Sequence, residues 1–221
     1  MREPALDFPD YKSTALRHPA EPLVYLPEQV TETTGPQLGH LRPGMIENDL
    51  TTRGPVGERI IVTGRVLDSE ARPIADSLVE IWQANAGGRY RHRWDNWPAA
   101  LDPNFGGGGR TVTDSEGRYE FVTIKPGPYP WGNHDNAWRP AHIHFSLLGR
   151  SFEQRLVTQM YFPGDPLFPY DPIFNSVRDP KARERMISRF SLDSSRHNWS
   201  LAFEFDIVLG GRGMTPLSEV Q

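Results

Sequence analysis

Proline and glycine recur along the whole sequence, and their spacing limits how long any helix or strand can be. The 221 residues include 21 prolines and 20 glycines, spread out rather than concentrated in a low-complexity segment. Proline interrupts helices and central strands, and both residues are typical of turns. The sequence therefore predicts many short strands joined by turns and long ordered loops, in one domain with an additional arm.

Several segments alternate apolar and polar residues with the period of two that is typical of half-buried strands. They cover residues 58–68, 77–84, 154–162 and 201–209. Residues 110–124 predict a hairpin, because two alternating runs flank the turn sequence Asp114-Ser115-Glu116-Gly117. The chain lacks the alternation of strands and helices that marks a parallel sheet. We therefore predict an all-β fold, an antiparallel β-sandwich with long functional loops.

One short helix is predicted near residue 180. Asp179 is a good N-cap, and Pro180 fits the first helical position. The helix would carry an apolar face formed by Ala182, Met186, Ile187 and Phe190. Residues 85–109 and 125–139 form long loops between the strands, and loops of this length in compact domains are usually functional.

Residues 1–55 fit neither a helical nor a strand pattern. Prolines at positions 4, 9, 19, 22, 27, 36 and 43 exclude a long helix or a central strand. The segment is also rich in Leu, Tyr and Phe, so we expect it to lie across its own domain or a partner chain. The predicted division is an N-terminal arm, 1–55, followed by a β-sandwich catalytic domain, 56–221.

Composition excludes several classes of function. A net charge of −4 and a pI near 6.0 give no electrostatic reason to expect binding to nucleic acid or to an anionic membrane. The absence of cysteine excludes disulfides, thiolate metal sites and cysteine nucleophiles, and it is compatible with a reducing cytosol. No run approaches the ~18 apolar residues of a membrane span, so we expect a soluble, cytoplasmic protein.

The run Arg139-Pro140-Ala141-His142-Ile143-His144-Phe145 contains the first candidate metal ligands. Alternate residues of a strand share one face, so His142 and His144 would be neighbours while Ile143 and Phe145 point into the core. Neutral imidazole binds Zn, Cu, Fe and Ni alike. The pair alone is compatible with a metal site and equally with two incidental histidines.

Tyr90 and Tyr129 are candidate partners, because each lies in a rigid stretch of a long loop. A phenol has a pKa near 10 and coordinates a metal only if its anion is stabilised, which a trivalent ion does well. Two phenolates with two imidazoles would favour a ferric ion over Zn(II) or Fe(II). Taken singly, each tyrosine is also compatible with a packed loop residue.

Four motifs resemble those of the intradiol ring-cleaving dioxygenases. They are residues 82–90 (WQANAGGRY), 101–106 (LDPNFG), 123–131 (TIKPGPYPW) and 138–145 (WRPAHIHF). The likeness extends from about Tyr11 to Leu209, and the four-ligand pattern is specific. The family fold is a β-sandwich, in agreement with the strand pattern.

The resemblance implies a non-haem Fe(III) site with four protein ligands: Tyr90, Tyr129, His142 and His144. Tyr129 would be the ligand that is released when substrate binds, and Arg139 would stabilise charge on the bound substrate. The implied pocket-lining residues are Tyr11, Trp131, Gln159 and Ile173.

The resemblance further implies cleavage of protocatechuate (3,4-dihydroxybenzoate) with O2 to 3-carboxy-cis,cis-muconate, in the β-ketoadipate pathway of aromatic catabolism. A homologous α chain without iron ligands would be the partner, in an (αβ)n assembly.

Three alternatives remain open. The first is an intradiol enzyme for catechol or hydroxyquinol, whose long helical N-terminal region does not match the proline-rich arm. The others are a non-catalytic prealbumin-like β-sandwich subunit and a zinc hydrolase that uses His134 or Asp135.

Overall fold

The alternating segments form strands in two sheets that enclose one apolar core. The computed structural model describes residues 7–19, 21, 46–148 and 155–216. Predictions for residues 1–6, 20 and 22–45 of the arm lie outside the described residues. The strands are β1 Arg59–Asp68, β2 Leu78–Trp82, β3 Gly108–Val112, β4 Arg118–Ile124, β5 Tyr129–Pro130, β6 Trp138–Arg139, β7 His142–Leu148, β8 Arg155–Tyr161, β9 Arg189–Arg196, β10 Ser200–Glu204 and β11 Ile207–Leu209. The helices are α1 Thr14–Arg17, α2 Pro172–Ser176 and α3 Pro180–Glu184, with a 3-10 turn at Phe168–Tyr170.

The first sheet is built around the long strand β1. One edge of β1 pairs antiparallel with β4, and the other pairs in parallel with β10 and then β11. Strand β9 adds to β10 in antiparallel orientation. The second sheet has the antiparallel order β3-β2-β7-β8. The predicted β-sandwich is therefore confirmed, and the first sheet is mixed because β10 and β11 run in the direction of β1.

Strand β7 separates the core from the candidate metal ligands. Ile143 and Phe145 are fully buried, and the Phe145 ring lies 5.3 Å from that of Phe205, which belongs to the same apolar core. His142 and His144 alternate with these residues along the strand, yet they are only 2% and 4% exposed. Their face of the sheet is therefore covered, although it lies outside the sandwich core.

The predicted hairpin over residues 110–124 is wrong, although its turn is correct. The Gly117 N–H donates to the Asp114 carbonyl at 2.9 Å, and the Asp114 side chain accepts from the N–H groups of Glu116 and Arg118. The two strands that flank the turn then enter different sheets, because β3 pairs with β2 and β4 pairs with β1. The turn carries the chain from one sheet to the other.

The helix and strand predictions after residue 170 need three corrections. The Asp179 side chain does accept from the Lys181 N–H, but the helix ends at Glu184, and Phe190 lies 46% exposed in β9 instead of on its apolar face. The predicted strand over residues 201–209 is broken between β10 and β11. Strand β9 was not predicted, since it is largely exposed and its residues do not alternate in burial. Helix α2 was not predicted either.

Two described parts of the predicted arm contact the sandwich. The Lys12 N–H donates to Asn133 Oδ1 at 3.1 Å, and Asn133 Nδ2 donates to the Asp10 carbonyl at 2.8 Å. Further along, Glu47 and Arg110 form a pair of backbone hydrogen bonds. These parts contact their own domain, and contact of the arm with a partner chain stays a prediction. Among the described residues, no helix has the length and apolar character needed to cross a membrane.

Candidate active site and metal centre

The two histidines of β7 are held by the sheet and by a backbone carbonyl. His144 pairs in register with Trp82 of β2, and the two rings stack 4.8 Å apart at 3°. His142 Nδ1 donates to the Pro140 carbonyl at 2.7 Å, which leaves Nε2 as the nitrogen with a free electron pair. Both rings are thus fixed in orientation before any ligand binds.

Two tyrosines bring their hydroxyl groups to these histidines. Tyr129 Oη lies 3.3 Å from His142 Nε2, and Tyr90 Oη lies 3.1 Å from His144 Nε2. The two imidazole rings are 4.8 Å apart, and the two phenol rings are 5.3 Å apart. Donors that share a first-row metal ion at about 2.0–2.2 Å are roughly 3 Å from their neighbours. The four side chains therefore fit a single metal ion, and their phenol oxygens favour a hard, highly charged one.

The loops that carry the tyrosines pack against each other at Gly88. The Asn85 carbonyl accepts hydrogen bonds from the N–H groups of both Gly88 and Gly127, at 2.9 and 3.0 Å. Gly88 has φ +78°, and a Cβ at this position would overlap the Pro128 carbonyl oxygen. Only glycine combines this conformation with such a close approach of the two backbones.

A carboxylate also fixes the first tyrosine loop. Asp95 Oδ2 accepts from the Tyr90 N–H at 2.7 Å, and Oδ1 accepts from the Trp97 N–H at 2.9 Å. Sequence reasoning missed Asp95, because an acidic residue in a long loop has no distinctive spacing. It holds the backbone on either side of its own turn and so sets the direction of the Tyr90 side chain.

The electrostatics of the site favour neutral imidazoles and a protonated Tyr90 phenol until a cation is bound. Burial lowers the pKa of His144 to about 3, with a further contribution from the Arg139 charge, and burial lowers the pKa of His142 well below its usual value. Burial and the neighbouring Tyr129 raise the pKa of Tyr90 well above 10. Neutral imidazoles can bind a metal at once, whereas the Tyr90 anion needs a strong positive charge beside it.

Arg139 lies directly beside the four candidate ligands. Its Nη1 donates to Tyr129 Oη at 3.4 Å and approaches His142 Nε2 at 3.1 Å, and the side chain is only 3% exposed. Burial opposes the Arg139 charge, but Tyr129, Tyr161 and Asp171 outweigh this effect and raise the pKa of the guanidinium. The site therefore contains a permanent, water-shielded positive charge.

A cavity of about 940 Å³ opens onto this group. Tyr11, Trp131 and Ile173 line it, and the rings of Tyr11 and Trp131 lie 5.4 Å apart. Gln159 differs from its prediction: it is fully buried and lies behind Arg139, away from the cavity wall.

Sequence reasoning missed the part of the wall that the first loop contributes, which consists of His92, Trp94, Asp95, Asn96, Trp97 and Pro98. A second cavity, of about 700 Å³ beside β9 and β10, contains none of the candidate residues.

The structure gives no support to a zinc hydrolase. His134 and Asp135 are both exposed, and His134 Nδ1 is hydrogen-bonded to the Asp135 carbonyl. Within the described ranges, no group of three or more His, Cys, Asp and Glu side chains is placed to hold a metal. A zinc site would need such a third ligand beside the histidine pair.

Comparison with known proteins assigns the chain to a family. The family model described as Dioxygenase matches residues 33–211, and the one described as Protocatechuate 3,4-dioxygenase beta subunit N terminal matches residues 4–29. The chain belongs to the intradiol dioxygenases, a family that uses non-haem iron. The resemblance found in its sequence motifs is thereby confirmed.

Individual relatives resemble the chain over most of its length. It is 56% identical over 219 residues to the protocatechuate 3,4-dioxygenase beta chain of Burkholderia cepacia, which covers 97% of this chain and 93% of the relative. The protocatechuate 3,4-dioxygenase alpha chain of Pseudomonas putida is 30% identical over 208 residues, with coverages of 88% and 97%. Among solved structures, the dioxygenase domain of a carbohydrate-binding fusion protein from Streptomyces sp. SirexAA-E has a TM-score of 0.55 and 26% identity, with coverages of 80% and 97%.

Proposed function

We propose that this chain is the iron-binding, catalytic β chain of a protocatechuate 3,4-dioxygenase. Its substrate would be protocatechuate, cleaved with O2 between the two hydroxyl-bearing carbons to 3-carboxy-cis,cis-muconate. The observation that carries the proposal is the convergence of two phenol oxygens and two imidazole nitrogens beside a buried arginine, on the wall of a cavity. The 56% identity to a β chain supports the choice of protocatechuate over catechol or hydroxyquinol.

The proposed ligands of Fe(III) are Tyr90, Tyr129, His142 and His144. Two phenolates supply two negative charges, which reduce the net charge of a trivalent ion in a site shielded from water. Neutral imidazoles complete the set without adding charge. This balance favours Fe(III), because a bare buried charge would be costly to maintain.

The residues around the ligands have separate tasks in the proposed reaction. Bound ferric iron would supply the key chemistry, drawing electron density from a chelated catechol so that a ring carbon can react with O2. Tyr129 would leave the metal and accept, at Oη, one of the two hydroxyl protons that a catechol loses on chelation, and a solvent hydroxide would accept the other. Arg139 Nη1, next to Tyr129 Oη, would stabilise negative charge that develops on the substrate oxygens. The aromatic wall of Tyr11 and Trp131 would hold the ring and exclude water.

We further propose that a homologous α chain is the partner. Support comes from the match of residues 4–29 to a β-chain N-terminal model and from the α-chain relative at 30% identity. The arm is rich in proline and apolar residues, and such segments usually become ordered against a surface. An obligate interface of this kind is expected to bury more than ~2,000 Å² in total.

Expression of the chain with and without its α partner tests the function. We expect about one iron per β chain, a visible absorption band from tyrosinate-to-Fe(III) charge transfer, and O2 uptake that is fastest with protocatechuate. The chain alone should be poorly soluble or iron-deficient. A colourless zinc protein would refute the ligand assignment, preference for catechol or hydroxyquinol would refute the substrate, and full activity of an isolated monomer would refute the need for a partner.

A further inference from the structure

Arg139 is anchored on the side that faces away from the candidate ligands. Its Nη2 donates to Gln159 Oε1 at 2.6 Å, to Tyr161 Oη at 3.0 Å and to Asp171 Oδ2 at 3.1 Å. Asp171 is fully buried, and Arg139 is only 3% exposed, so the ion pair is shielded from water. The reaction proposed above uses the Nη1 side and assigns no role to this carboxylate.

The two oxygens of Asp171 have different partners. Oδ1 accepts from the Ile173 N–H at 3.0 Å and caps helix α2, while Oδ2 accepts from Arg139 and, at 3.3 Å, from Tyr161. Ile173 itself lines the cavity. One buried side chain therefore connects the guanidinium beside the candidate ligands to the helix that forms part of the cavity wall.

We propose that Asp171 is a positioning residue, which holds the Arg139 guanidinium in the orientation that presents Nη1 to Tyr129 and the substrate. The inference rests on the proposed function and adds a residue to it. A buried guanidinium without a carboxylate partner is costly, so without Asp171 it would leave the orientation in which Nη1 lies 3.4 Å from Tyr129 Oη. By pairing with Nη2, Asp171 keeps Nη1 available for charge that develops during the reaction.

The first test replaces the carboxylate with an amide of the same size. In Asp171→Asn the single side-chain oxygen can still cap helix α2, because asparagine is a good N-cap, but it cannot also accept from Arg139. We expect turnover per bound iron to fall by about tenfold or more while KM changes less, which is the effect of a misplaced group that acts in the transition state. Iron content and the visible spectrum should stay near wild type.

Asp179→Asn is the matched control. Asp179 is also an N-cap followed by proline, and its side chain accepts from the Lys181 N–H, but it is exposed and outside the site. The exchange of a capping carboxylate for an amide is therefore the same in both variants, whereas loss of turnover per iron should be confined to Asp171→Asn. Equal turnover losses in the two variants would mean that capping explains the effect and would overturn the proposal.

A double-mutant cycle with Arg139→Ser tests whether Asp171 acts through the arginine. If it does, adding Asp171→Asn to Arg139→Ser causes no further loss of turnover per iron. The same four proteins, freed of metal, should show a non-additive loss in their urea unfolding midpoints. Additive effects in either measurement would contradict the proposal.

The outcomes distinguish this proposal from the function on which it rests. Wild-type protein that cleaves no catechol refutes the function, and the metal-free urea cycle still decides whether Arg139 and Asp171 are coupled. Active wild-type protein together with full turnover in Asp171→Asn refutes the positioning role alone. If Asp171→Asn does not fold, Tyr161→Phe takes its place in the double-mutant cycle, because the Tyr161 hydroxyl contacts both Arg139 and Asp171. Additive effects of Tyr161→Phe and Arg139→Ser would then refute the proposal.

Discussion

Substitution of Gly88 by alanine should disturb the candidate metal site without altering any of its ligands. At φ +78° an L-residue costs about 1–2 kcal/mol, and overlap of the new Cβ with the Pro128 carbonyl adds about 1–3 kcal/mol of overpacking. We therefore expect the free energy of unfolding to fall by roughly 2–5 kcal/mol. The loops of Tyr90 and Tyr129 would have to move apart, so iron binding should weaken as well.

Two other glycines provide controls for this experiment. Gly164 has φ +76° with open space around it, so Gly164→Ala measures the conformational cost alone. Gly106 also has open space and no positive φ, so Gly106→Ala reports the effect of an added methyl group. Urea unfolding and iron content per chain would be measured for all three variants. Equal stability losses in Gly88→Ala and Gly164→Ala, with full iron in both, would show that contact between the loops does not position the tyrosines.

Four further substitutions test individual side chains. His142→Ala should lose most of the bound iron, and a full equivalent with an unchanged spectrum would identify His142 as a core residue. Tyr129→Phe should retain iron but bind substrate more slowly in stopped-flow experiments, since one proton acceptor is gone; faster or equal binding would contradict its role. Arg139→Ser should keep the visible spectrum while turnover falls by about 10²-fold, and a loss that merely tracks unfolding would indicate a structural role. Hydrogen bonds, led by that from Ser191, lower the pKa of Glu204 from 4.5 to about 2. The Glu204 carboxylate therefore stabilises the folded state fully above pH 4.5, and this contribution is lost as the pH falls towards 2. Glu204→Gln should thus lower the urea midpoint at pH 7, with a difference that shrinks on acidification.

The sequence predicted where the strands lie along the chain better than it predicted which strands pair with each other. Alternation of apolar and polar residues located β1, β2, β7 and β8, because each of these strands has one face in the core. The same pattern could not show that β3 and β4 belong to different sheets, since a turn such as Asp114–Gly117 can close a hairpin or join two layers. Pairing depends on contacts between distant residues, which a local pattern does not contain.

The candidate site shows a similar limit. The four proposed ligands were identified from motifs, whereas Asp171 was missed although Asp171-Pro172 carries the same capping signal as Asp179-Pro180. A capping signal reveals the start of a helix, but it does not reveal that the second carboxylate oxygen reaches Arg139. Gln159 was assigned to the cavity wall for the same reason: its position on β8 was correct, but the depth of its side chain depends on Arg139, which lies in front of it.

The division of the four candidate ligands between a sheet and two loops has a consequence for metal selection during folding. The imidazole pair is complete as soon as β7 pairs with β2 and β8, whereas the phenols arrive only when the loops close on each other at Gly88. A pair of imidazoles alone binds Cu(II), Ni(II) and Zn(II) more tightly than Fe(II), in line with the general order of divalent metals. With the proposed ligand set, discrimination in favour of iron would therefore depend on the loops. A nascent chain whose loops are still open would be exposed to binding of the wrong metal.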